Sequence, residues 1–238
     1  MRARLQQQAF FVTRPGPCPY LEGERERKVF TRLEGDDAAA VYDQLARLGF
    51  RRSHDIAYRP MCPACSACVP VRIDVARFVP NRSMRRAEKA NAQLRTTVLA
   101  AKATDEQFEL FARYLASRHA GGEMADMGEA QYRAMVEDGD LSGQMVEHRQ
   151  SDGRLVACCL EDRLSDGLSA VYSFFAPEIA DRSPGTWMIL DLVRRAAAAG
   201  LPWAYLGYWV KGSPKMSYKT RFRPIEGLGA TGWQELPA

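Results

Sequence analysis

The chain has 238 residues, 46% of them hydrophobic, with 33 Lys plus Arg against 29 Asp plus Glu and a net charge of +4. That length and apolar content suit one large globular domain or two smaller ones and exclude a chain that is disordered throughout. No run approaches the roughly 18 apolar residues of a membrane-spanning helix, the start Met1–Gln8 lacks the apolar stretch of a secretory signal, and six cysteines are too few for a disulfide scaffold, so a cytoplasmic protein with reduced thiols is expected.

In chain order, residues 14–23 are punctuated by Pro and Gly and exclude a long helix; Cys18 lies among them. Ala40, Val41, Leu45 and Leu48 recur at helical spacing, which predicts a helix over 36–48, stopped by Gly49. Cys62, Cys65 and Cys68 follow, with two residues between neighbouring thiols. With Cys18 they make four thiols that suit a zinc site, an iron–sulfur cluster or a redox pair. Val71, Ile73 and Val75 alternate with polar or small residues as in a half-buried strand. After Pro80, Ser83 is placed to cap a helix reaching about Leu99.

A second part begins near residue 101. Thr104 and Gln107 form a capping-box pattern, with Phe108, Phe111 and Leu115 as the apolar stripe behind it. A further helix is expected over 129–137. The period then changes: 143–149, 154–162 and 168–175 read as strands joined by turns at Ser151-Asp152-Gly153 and Asp166-Gly167. Cys158 and Cys159 are adjacent on such a strand, point to opposite faces and read as small buried hydrophobes. Residues 186–199 predict a helix ended by Gly200, 203–210 a strand, and 213–220 a short helix. The expected fold class is α+β, with a smaller N-terminal domain over 1–100 packed on a domain over 101–238.

The element order of the second part resembles the GNAT acyltransferase fold, in which two parallel strands part and an acyl donor lies between them; by itself this is an argument from analogy. A coenzyme A-dependent member needs a Gly-rich turn whose amides hold a pyrophosphate. Here Arg182 and Gly185 fit that pattern, Trp187 stands where a Gly or Ala belongs, and Pro184 removes an amide. This points to a donor other than coenzyme A.

Segments spread over nearly the whole chain carry a closer resemblance. They include Pro17-Cys18-Pro19-Tyr20-Leu21, Phe50-Arg51-Arg52-Ser53, Tyr58-Arg59-Pro60, Cys62 to Cys68 with Val69-Pro70-Val71-Arg72, and Asn81-Arg82-Ser83-Met84-Arg85-Arg86. In the second half they are 114–119, 168–175, Tyr205-Leu206-Gly207-Tyr208-Trp209, and Lys215-Met216-Ser217-Tyr218-Lys219 with Phe222-Arg223-Pro224. Together they resemble the arginyl/leucyl-tRNA–protein transferases, and the form of the cysteine motif and the short length resemble the bacterial branch. Ala176 and Pro184 depart from the family pattern. The resemblance implies an aminoacyltransferase that moves leucine, or arginine, from its tRNA onto proteins beginning with Asp or Glu and so marks them for N-end-rule degradation. It implies aminoacyl-tRNA and acidic N-termini as partners, no membrane, a monomer, and an N-terminal cysteine set associated with metal or iron–sulfur binding.

Aminolysis of an aminoacyl ester needs no enzyme nucleophile, because an α-amine of pKa about 8 is already partly neutral near pH 7, and no cofactor is required for it. Candidate helpers are Tyr172, Asp191, His119 and Tyr218, each also readable as core, surface or helix-end residue. Two basic blocks are candidate polyanion contacts: Lys211, Lys215, Lys219, Arg221 and Arg223 for tRNA, and Arg82, Arg85 and Arg86 for tRNA or for the substrate's acidic first residue. Phe174, Tyr172, Leu206 and Tyr208 are candidates for an apolar acyl pocket, and Cys18, Cys62, Cys65 and Cys68 for the metal. The competing readings are a coenzyme A-dependent N-acetyltransferase and a non-catalytic metal-bearing RNA-binding module.

Overall fold

The computed structural model describes residues 8–118, 126–138 and 143–237. Strands β1 (Phe11–Val12), β2 (Gly16–Pro17), β3 (Arg25–Glu26) and β4 (Lys28–Arg32) precede helix α1 (Ala38–Arg47), and β5 (Arg51–Ser53), β6 (Ile56–Pro60) and β7 (Cys68–Asp74) follow it. β1, β4, β6 and β5 make a small sheet in that order, with β2 and β3 a separate ribbon. Val41, Tyr42 and Leu45 of α1 are each 1% exposed and form a core with Leu33, Ala57, Leu164 and Tyr205. The helix ends where expected, at Gly49 with φ of +84°, a conformation that suits Gly.

Next come α2 (Arg82–Asn91), β8 (Arg95–Ala100), α3 (Asp105–Arg118), α4 (Glu129–Glu137), β9 (Gly143–Arg149), β10 (Leu155–Arg163), β11 (Gly167–Phe175), α5 (Pro184–Ala198), β12 (Trp203–Val210), β13 (Ile225–Gly229) and β14 (Gly232–Glu235). The last eight strands of the chain order form one sheet, β14-β13-β7-β12-β11-β10-β9-β8. One core joins α3 and α4 to the sheet through Phe111, Tyr132, Met145, Leu160 and Phe174. Another joins α2 and α5 to it through Met84, Leu190, Val193 and Ile73. Burying one side chain the size of Phe111, which is 0% exposed, stabilises the fold by about 1.5–3 kcal/mol.

Three expectations change. Residues 95–100 are a strand rather than the end of a helix. Thr96, Thr97 and Val98 are β-branched and pair with β9. The α2 cap is Asn81, whose Oδ1 accepts from Met84 N at 3.1 Å, and Ser83 donates to the same oxygen. The short helix over 213–220 is a 3-10 helix spanning Pro214–Arg221. In addition, β7 and β8 lie before residue 101 yet belong to the eight-stranded sheet, so the expected domain limit does not separate two sheets. The halves are further joined by a buried ion pair: Arg52 Nη2 lies 2.9 Å from Asp162 Oδ1, at side-chain exposures of 2% and 0%.

Candidate active site

β11 and β12 run parallel and pair only at Gly167–Trp203, Leu168–Ala204 and Ser169–Tyr205. Beyond that point both strands carry an extra residue. Val171 is skipped in the pairing of β11 with β10, and Leu206 in the pairing of β12 with β7. Such bulges bend a strand and leave backbone groups without ladder partners. The burial pattern records an opening. β11 is buried at 167–169 and half-buried from Ala170 to Ser173, although it is an interior strand of the sheet.

The N-terminal half fills the throat of this opening. Arg51 of β5 donates from Nη1 to Ser169 Oγ at 3.2 Å, and from Nη2 to Ala170 O at 2.5 Å and Val171 O at 3.4 Å. On the other side its guanidinium lies against Gly207 of β12, where a Cβ would fall 2.8 Å from Arg51 Cζ. Gly207 has φ of +75°, so both space and backbone conformation require Gly here. A Gly inside an apolar strand signals such a close approach, and the segment Tyr205-Leu206-Gly207-Tyr208-Trp209 carries that signal. Arg51 had no comparable signal: its role depends on β5 and β11 meeting 118 residues apart.

Lys219 stands at the same place. It is 7% exposed, and its Nζ donates to Tyr208 O at 2.7 Å. Burial and the nearby Arg51 charge push its pKa down to about 7. Lys219 is therefore turned inward and does not offer its charge to a surface phosphate, a correction to its expected tRNA role. Tyr218 beside it is 44% exposed. Its hydroxyl pKa is raised by desolvation and then by Tyr114, which also raises that of Tyr172 after desolvation. Tyr114 in turn meets Phe175 edge-on at 5.1 Å. Tyr114, Tyr172, Phe175 and Tyr218 thus surround the opening with aromatic surface, and all the shifted phenols are held protonated.

The other sequence candidates fall in several places. Asp191 is buried and held by Arg195 at 2.7 Å and Arg194 at 3.8 Å, which makes it a fixed ion-pair partner on α5 and removes it as a base. Phe174 is 0% exposed in the core, and Leu206 is also buried, so neither lines an acyl pocket. Tyr208 is buried with its hydroxyl donating to Gly49 O at 2.8 Å, which ties β12 to the end of α1. His119 lies outside the described residues. Arg223 donates to Leu236 O and Pro237 O and secures the chain end. Lys211, Lys215 and Arg221 are exposed, as are Arg82, Arg85 and Arg86 on α2. Arg221 Nη2 donates to Ser83 Oγ at 2.9 Å, which merges the two basic blocks into one surface.

The four expected thiols do converge. Cys18, Cys62, Cys65 and Cys68 line one open cavity of about 760 Å³, together with Tyr20, Tyr58 and Tyr208. Burial, followed by the other three thiols, pushes Cys68 up to about 11, and Cys62 Sγ accepts from Arg27 N at 3.4 Å. A metal needs thiolates drawn to one point. Among the described residues no three such side chains are grouped closely enough to hold an ion as they stand. Cys158 and Cys159 are buried, as expected. Trp187 is buried beside His148, with ring centroids 6.3 Å apart; it fills core and does not stand in front of the α5 terminus. The departure from a pyrophosphate site therefore rests on Pro184 at the first helical position.

Comparison with known proteins bears on the whole chain. Residues 16–86 match the family model described as arginine-tRNA-protein transferase, N terminus, and residues 106–229 match its C terminus. The aspartate/glutamate leucyltransferase of Paramagnetospirillum magneticum is 56% identical over 95% of this chain and 93% of its own length. That of Parvibaculum lavamentivorans is 54% identical over 96% and 95%. Among solved structures, L-PGS from Bacillus licheniformis is 11% identical, covering 74% of this chain and 51% of its own, with a TM-score of 0.44.

Proposed function

The chain belongs to the arginine-tRNA-protein transferase family, and from that premise we propose that it transfers leucine from leucyl-tRNA to the α-amine of proteins that begin with Asp or Glu. The observation that carries the reading to a place in the fold is the parting of β11 from β12 at Ser169 and Tyr205. The aminoacyl ester lies in that opening, between the half-buried stretch of β11 and the 3-10 helix that bears Tyr218. The free amine nitrogen attacks the ester carbonyl carbon. The carbon–oxygen bond to the ribose breaks, the ribose oxygen leaves with a proton, and the nitrogen gives up one. With an amine already partly neutral at pH 7, holding the two reactants together supplies much of the acceleration, an effect worth about 7–11 kcal/mol.

Tyr172 and Tyr218 serve as neutral hydrogen-bonding walls, because a phenol is already protonated near pH 7 and both are shifted further upward. The acceptor end of the tRNA runs over Lys211, Lys215, Arg221 and the exposed face of α2, whose charges suit a phosphodiester track. The product carries leucine in front of its acidic residue, which is the mark that an N-end-rule role calls for. The test is transfer of radiolabelled leucine from leucyl-tRNA to a peptide starting with Asp, beside arginyl-tRNA and acetyl-coenzyme A as donors. Transfer from leucyl-tRNA alone is expected. Acetyl transfer without aminoacyl transfer overturns the proposal, and tRNA binding without any transfer favours a binding module.

A further inference from the structure

Three other enclosed arginines sit beside acids. Arg52 meets Asp162, Arg72 lies 2.8 Å from Glu226, and Arg195 lies 2.5 Å from Glu161 and 2.7 Å from Asp191. Arg51 and Lys219 are not paired in this way. Among the described residues Arg51 bonds to Ser169 Oγ and the Ala170 and Val171 carbonyls, and Lys219 to the Tyr208 carbonyl. Among the described residues no carboxylate forms an ion pair with either. They are also close enough for Arg51 to disfavour the charge on Lys219. Two neighbouring basic groups, one half-buried and one buried, without a counter-ion are costly to the folded state, and they stand where β11 and β12 part.

We propose that Arg51 and Lys219 form the receptor for the side-chain carboxylate of the substrate's first residue. The proposal rests on the leucyl-transfer reading for its substrate and names the residues that select it. A carboxylate matches the site better than a phosphodiester does. Arg51 keeps its Nε–H and part of Nη1 beyond the bonds given above, in the planar arrangement that a carboxylate accepts from. Lys219, 7% exposed, is reached by one short side chain and not by a continuous polynucleotide. An Asp or Glu carboxylate is only two or three bonds from its own α-carbon, so anchoring it at the throat holds the α-amine beside the opening where the ester lies.

The experiment measures leucylation and tRNA-free calorimetric binding of two peptides that differ only in starting with Asp or with Asn. The wild-type protein is expected to favour Asp by at least about thirtyfold in kcat/KM, the scale of losing one partner of a buried charge pair. Lys219→Met is expected to remove most of that preference through KM for the Asp peptide, while the Asn peptide and leucyl-tRNA affinity change less than about twofold. It is also expected to melt at a higher temperature than the wild type, whereas loss of a merely structural lysine lowers the melting point. Lys219→Gln keeps a donor for Tyr208 O and replaces it where the Met variant does not fold. Arg51→Lys is expected to weaken the preference by losing the planar fork. A wild-type protein that binds both peptides equally overturns the proposal, as does an Asp preference that survives in the folded variants. Selective Asp binding without leucine transfer overturns the leucyl-transfer reading and leaves the receptor standing.

Discussion

Asp162→Asn tests how the N-terminal half is held against the sheet. Arg52 Nε donates to Asp162 Oδ1 at 3.0 Å and Oδ2 at 3.2 Å, and Nη2 lies 2.9 Å from Oδ1. The side chains are 2% and 0% exposed, so solvent does not screen the pair. Asn keeps the shape and removes the charge, leaving the Arg52 guanidinium buried without a counter-ion. Breaking one partner of such a pair costs about 3–5 kcal/mol, while replacing both by apolar groups of like size costs much less. Urea unfolding at pH 7 is expected to show that loss for Asp162→Asn, and a double variant Arg52→Met with Asp162→Leu is expected to recover most of it at an unchanged m value. The consequence reaches the candidate site, because Arg51 precedes Arg52 on β5 and points to the opposite side of the strand. When Arg52 loses its anchor, Arg51 loses its fixed place against Ala170 O. Leucine transfer by the folded fraction of Asp162→Asn is therefore expected to fall further than that of the double variant. A cost below about 1 kcal/mol for the single change, or a double variant as weak as the sum of its parts, refutes the reasoning.

Gly207→Ala places a Cβ 2.8 Å from Arg51 Cζ at φ of +75°; it is expected to cost about 1–2 kcal/mol from backbone conformation and to lower transfer at least tenfold by displacing Arg51, read by melting and by initial rates. His148 has its pKa pushed down to about 4 by burial and then by Arg195 and Arg194, against the opposing Asp191. The unfolded chain takes up this proton below about pH 6.5 and the folded one only near pH 4, so stability is expected to fall as pH drops through that window, by about 3 kcal/mol in full. Urea midpoints of His148→Gln should lack that part of the slope. Lys211→Ala with Lys215→Ala is expected to weaken leucyl-tRNA binding and reduce the slope of log K against log salt by roughly 1.4–1.8; an unchanged slope removes these residues from the phosphate track.

What was legible in the chain follows from the range of the forces involved. The span of α4, the strand β12 and the Thr104–Gln107 cap appear as expected, because periodicity and capping are local; Thr104 N donates to Gln107 Oε1 at 3.2 Å and Gln107 N to Thr104 Oγ1 at 3.3 Å. Residues 95–100 carry no strand signal of their own, because Arg95 to Ala100 shows no alternation; all six are exposed, and pairing with β9 alone makes them a strand. The candidate site is the least local feature. Asp191 and Lys219 were placed by residue type, and geometry exchanges their characters. The acid is neutralised by two arginines on its own helix, and the lysine is enclosed with no acid paired to it among the described residues.

That exchange carries a general consequence for this fold. A protein can satisfy a buried guanidinium with a carboxylate from a neighbouring strand, and this one does so at Arg52, Arg72 and Arg195. Supplying the same carboxylate beside Arg51 and Lys219 would relieve the repulsion that lowers the Lys219 pKa and would stabilise the fold. It would also occupy the place where an acidic N-terminus is to be received. The two cations are tolerable without an acid because their desolvation is partly offset by the carbonyls of Ala170, Val171 and Tyr208, which lie beyond the last paired residues of β11 and β12. The opening and the unpaired charge are therefore one arrangement: strands that stayed paired beyond Ser169 would leave the two cations neither room nor acceptors.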